Sequence, residues 1–65
     1  MIDATTRELI SEAADTIEDA AGTLRRIADR YDDTKDYTHT KDIKHLREQA
    51  AARDYLAHQL REVIS

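Results

Sequence analysis

A chain of 65 residues with no cysteine and no proline has room for one domain at most, and at this size folding removes only about 60% of the unfolded surface from water. There is no disulfide framework and no Cys/His zinc pattern to supplement a small core. The net charge of −4, with 37% charged residues, weighs against nonspecific nucleic-acid binding. No apolar run approaches the roughly 18 residues of a membrane span.

The first predicted element is a helix over about residues 5–32. Thr5-Thr6-Arg7-Glu8 has the form of a capping box, with Asp3 as a competing cap. Ile10, Ala13, Ile17, Ala20, Leu24, Ile27 and Tyr31 recur at alternating steps of three and four, the a and d positions of a heptad. The adjacent e position is alanine throughout: Ala14, Ala21 and Ala28. A stripe this wide can pack against two neighbouring helices. Gly22 falls at an f position, away from the stripe, where glycine is simply tolerated.

The second element is a polar connector over about residues 33–40. Asp and Thr dominate the stretch from Asp32 to Thr40, and such side chains compete with helical hydrogen bonds. Thr38 or Thr40 is the expected cap of the next helix. Asp32, Thr34, Asp36 and Thr38 have the alternating oxygen spacing of a calcium loop. Tyr37 stands where that loop needs glycine, however, and Ile43 where it needs glutamate, so no metal is expected.

The third element is a helix over about residues 41–64. Ile43, Leu46, Ala50, Leu56, Ala57, Leu60, Val63 and Ile64 form one broad face, with Arg53 in its middle at a d position. A short connector between two long helices implies an antiparallel hairpin. In a register where facing residue numbers add to roughly 73, Ile17 lies near Leu56, Leu24 near Gln49 and Arg53 near Ala20 and Glu18. One continuous helix is the alternative, since no proline interrupts the connector.

The expected fold is therefore all-α: an antiparallel two-helix hairpin that dimerises into a four-helix bundle. The large apolar side chains are few, and ten alanines supply much of the hydrophobicity, so self-association is the simplest source of added burial. The expected self-association seam is Ile10, Ala13, Ala14, Ile17, Ala20, Ala21, Leu24, Ile27, Ala28 and Tyr31 on the first helix. On the second it is Ile43, Leu46, Ala50, Arg53, Leu56 and Leu60. Arg53 reads either as a snorkelling side chain or as a device that sets register and partner choice.

A row of carboxylates, Glu8, Glu12, Asp15 and Asp19 with Glu18 beside them, lies away from the seam. Glu8/Glu12 and Asp15/Asp19 are like-charge pairs four apart, which an isolated helix does not favour. With Tyr37 and Tyr55 they form the expected docking surface for a partner protein with a basic surface, since exposed tyrosines are common interface anchors. Residues 24–49 hold seven Lys/Arg and six Asp/Glu, and the rest of the chain three basic and eight acidic, so a hairpin has a mixed pole and an acidic pole. His39, His45 and His58 share no helical face or ligand spacing, and no nucleophile triad or phosphate loop is present. No enzyme activity and no cofactor are expected.

The function expected is a non-enzymatic protein-interaction module that binds and blocks or modulates a larger partner. In size and style the chain resembles the small acidic helical inhibitors that phages and plasmids use, anti-CRISPR proteins and nucleic-acid mimics among them. The alternatives are a structural or adaptor subunit of a larger coiled-coil assembly, or a nucleic-acid-associated helical protein using the connector-end basic residues. The N-terminus lacks the basic start and apolar core of a secretory signal, so the expected location is cytoplasmic.

Overall fold

A computed structural model describes residues 2–33 and 40–65. Two helices, α1 (Ala4–Asp33) and α2 (Thr40–Ile64), pack against each other. One continuous helix is thereby excluded. Residues 34–39 of the expected connector, Tyr37 and most of the calcium-like spacing among them, lie outside the described residues, and its end residues Asp33 and Thr40 belong to the helices.

The start of α1 is set by Asp3, not Thr5. The Thr6 backbone N–H donates to Asp3 Oδ1 at 2.7 Å, and the Arg7 N–H donates to the Asp3 carbonyl at 2.9 Å. The Asp3 side chain thus satisfies one of the amide donors that a helix leaves without partners at its N-terminus, and its carbonyl accepts the first regular helical bond. The Thr6 hydroxyl and then the Thr6 amide hold the Asp3 carboxyl below its ordinary value of 3.8. Within α1 the threonine hydroxyls donate back one turn, Thr16 to the Glu12 carbonyl at 2.9 Å and Thr23 to the Asp19 carbonyl at 3.1 Å. These residues therefore sit mid-helix without unsatisfied hydroxyls. A Cβ added at Gly22 would meet no atom within 4 Å, so no backbone approach inside the hairpin demands this glycine. At the far end Ser65 closes α2, its hydroxyl donating to the Glu62 carbonyl at 2.9 Å.

Among the described residues the fully buried side chains are Ala14, Ala21 and Ala28 of α1 and Ala50 and Ala57 of α2, and no large side chain is fully buried. The centre of the contact is therefore the alanine e position, one step round the helix from the a/d stripe. Alanine projects one methyl, so the two backbones can approach toward the close end of the 8–10 Å interaxial range. At that spacing larger side chains have little room on the line between the axes, where Ile64 stands only at the end of the paired stretch. Ile10, Ile17 and Leu24 are accordingly half-buried on the flank, and Ala13, Ala20, Ile27 and Tyr31 are exposed.

Cross-helix ion pairs fix the direction and the register. The partners' residue numbers add to 76 for Arg61–Asp15 and Arg47–Asp29, and to 79 for Arg61–Glu18, Arg25–Asp54 and Arg47–Asp32. A near-constant sum means antiparallel helices, with a register near 78 and displaced by about one helical turn from the expected one. The alanines explain the displacement. In this register Ala21 stands opposite Ala57 and Ala28 opposite Ala50, whereas the expected one would set Ala28 against His45. Ile64 then stands opposite Ala14, so the first ten residues of α1, roughly 15 Å of helix, run on past the end of α2. The result is a rod with extents of 50 × 13 × 11 Å.

Two measurements check this account. Ala57→Leu should lower the stability of the hairpin by about 1–3 kcal/mol, because a larger side chain forces the backbones apart; a thermal melt followed by far-UV circular dichroism reads the change. Asp3→Ala should lower the melting temperature near neutral pH. The folded-state pKa of Asp3 is depressed, so its contribution is present above the unfolded carboxylate value of about 3.9 and is lost as pH falls through the lower folded value. The gap between the two melting temperatures should accordingly close at the acid end of a pH series.

Candidate interaction surfaces

Each residue of a helix is turned by about 100° from the one before, so the positions flanking the buried alanines can be assigned to sides. On one side of α1 lie Asp15, Glu18, Arg25, Asp29 and Asp32; on the same side of α2 lie Arg47, Asp54 and Arg61. These are the groups that pair across the hairpin. Arg61 bridges Asp15, at 2.6 Å, and Glu18; Arg25 pairs with Asp54; Arg47 reaches Asp29 at 3.3 Å and Asp32 at 3.4 Å. One edge of the hairpin is thus closed by charge. The pairs are solvent-exposed and individually worth less than about 1 kcal/mol. Their effect is to select the side of each helix that turns toward the other.

The opposite edge is apolar. On α1 it carries Leu9, Ala13, Ile17, Ala20, Leu24, Ile27 and Tyr31, and on α2 it carries Leu56, Leu60 and Val63. The exposed large apolar residues gather here: Leu9 at 60% exposure, Val63 at 57%, Leu56 at 50%, Ile27 at 39% and Tyr31 at 36%. Tyr55, at 62%, lies instead on the outer face of α2, where its hydroxyl accepts a hydrogen bond from Gln59 Nε2 at 3.0 Å. Ile43 and Leu46 of the expected seam are half-buried, and Ala50 is wholly inside the hairpin.

Arg53 is the one charged side chain on the apolar edge within the paired stretch, among the described residues. It is half-buried. Its Nη1 donates to both the carbonyl and the Oε1 of Gln49, each at 3.0 Å, one turn back along its own helix. The expected neighbourhood of Glu18 does not form: the shifted register places Arg53 level with Arg25, and Glu18 is held by Arg61. The guanidinium is therefore hydrogen-bonded but carries its charge without a carboxylate beside it.

The acidic row divides. Asp15 and Glu18 are engaged by Arg61. Glu8, Glu12 and Asp19 remain on the outer face of α1, exposed and with no ion pair drawn to them among the described residues. His58 lies 2.9 Å from Glu62 on the surface of α2. No group of three or more His, Cys, Asp or Glu could hold a metal ion among the described residues, and no helix is long and apolar enough to cross a membrane.

No protein-family model, characterised protein or solved structure matches this chain.

Arg61→Gln tests the division of labour between the edges. It should change stability by less than about 1 kcal/mol, while releasing Asp15 and Glu18 to enlarge the acidic face. A urea titration at low and at high salt reads the stability effect, and the wild-type advantage should shrink as salt screens the pairs.

Proposed function

We propose that this chain is a non-enzymatic protein-interaction module that works as a homodimer, a four-helix bundle, and binds and blocks or modulates a larger partner protein. The observation that carries the reading is the sidedness of the hairpin: ion pairs close one edge, and the exposed large apolar residues other than Tyr55 line the other. Contiguous exposed apolar side chains on a small protein mark a protein-binding surface.

The area supports a second copy as the occupant. The chain exposes 5139 Å², whereas a folded monomer of 7.5 kDa exposes about 4,200 Å² on the usual scaling. The excess, about 900 Å², is close to the roughly 800 Å² that each partner contributes to a standard stable interface. The acidic outer face, Glu8, Glu12 and Asp19, then points away from the dimer and remains available to a basic surface on the larger partner.

Light scattering on the purified protein tests the assembly. The wild type should show twice the 7.5 kDa chain mass, and a double change of Ile27→Gln and Leu56→Gln should give the single-chain mass with the helical signal retained. A Glu8→Gln, Glu12→Gln, Asp19→Asn variant should remain a dimer. It should lose the salt-sensitive part of any partner binding, measured as the slope of affinity against salt. A wild type that is monomeric at high concentration would overturn the dimer.

A further inference from the structure

We propose that Arg53 selects the alignment of the second copy, so that the two hairpins pair with their terminal ends together and α2 of each lies over α1 of the other. This rests on the dimer reading above and goes beyond it, because a two-layer bundle of hairpins has two symmetric solutions. A two-fold axis parallel to the helices stacks α2 on the partner's α1, with the termini of both copies at one end. A two-fold axis across the helices stacks α2 on the partner's α2, with the termini at opposite ends. Every neighbouring pair of helices is antiparallel in both, so helix packing alone does not choose.

The position of Arg53 does choose. The helices overlap over residues 14–33 of α1 and 45–64 of α2 in the observed register, which the ion pairs fix. A crosswise dimer covers the whole of this overlap only when its axis passes the middle of it, between Asp54 and Tyr55 of α2. The two Arg53 side chains then meet across the axis within about one helical turn of each other. Each is half-buried on the apolar edge and bonded only to its own Gln49, and no carboxylate lies on that edge in the paired stretch among the described residues. Dimerisation would desolvate two like charges at close range, the costliest arrangement for a guanidinium pair. Sliding the copies apart relieves the contact only by uncovering Ile27, Leu56 and Leu60. In the end-to-end alignment each Arg53 faces the partner's α1 at the level of Leu24 and Ile27, and a full bundle width separates the two charges.

The poles of the hairpin pull the other way, and their strength decides the comparison. Terminal ends together set two acidic poles side by side. Those carboxylates are exposed, two of them share the one positive charge of Arg61, and salt screens the rest over about 8–10 Å. The Arg53 contact is local and becomes buried, so screening does not reach it.

The absence of cysteine makes a single spin label per chain straightforward. With a nitroxide at Glu8→Cys, pulsed dipolar spectroscopy should report roughly 30 Å between copies, the width of a bundle with outward-facing labels. The crosswise dimer predicts roughly 50 Å, set by the rise along the helices. In an Arg53→Leu background the short distance should be joined by the long one, with a dimer at least as stable to dilution. A long distance in the wild type overturns the alignment and leaves the dimer standing. A short distance unchanged in Arg53→Leu overturns the role of Arg53. A monomeric mass with no dipolar coupling overturns the dimer reading and the alignment with it.

Discussion

Two helices can share an axis-to-axis line only as closely as the side chains on that line allow, and here those side chains are methyl groups. Ala14, Ala21, Ala28, Ala50 and Ala57 are the fully buried side chains of the described structure. Each gains little by itself, since a methyl removes little apolar area from water. Their contribution is geometric. Close backbones put most of the larger side chains on the flanks, and the flanks determine which surfaces the hairpin presents.

The flanks differ in kind. One holds arginines and carboxylates that reach across to the other helix. The other holds Ile, Leu, Val and Tyr side chains that find only part of a neighbour. A hairpin in which both flanks were charged would be a soluble rod with no demand for a partner. With both flanks apolar it would have nothing to decide which way each helix faces. The observed split gives the hairpin two unlike edges and leaves one of them with unburied apolar surface.

Much of this was legible in the chain. The heptad spacing specified two helices, the Asp- and Thr-rich stretch specified where they part, and the alanine e position was visible as a small-residue flank of the stripe. Three features were not legible. The cap at Asp3 competed with an equally well-formed Thr5–Glu8 motif, and only the backbone path decided between them. The register depended on which alanines meet. The fate of Arg53 depended on the register, since a shift of one turn removed Glu18 from its reach and gave that carboxylate to Arg61.

The sequence by itself determined the helices, the wide apolar face and the row of acidic side chains, because each follows from local spacing at 3.6 residues per turn. Only the tertiary structure decided which part of that face is spent inside the hairpin. Two alanines in contact bring backbones nearer than any pairing of isoleucine or leucine, so the alanines took the centre and the large side chains went to one edge. The same packing consumed Asp15 and Glu18 in pairing with Arg61, leaving Glu8, Glu12 and Asp19 as the outward acidic surface. Such choices belong to the contact between helices, which local spacing along one helix does not encode.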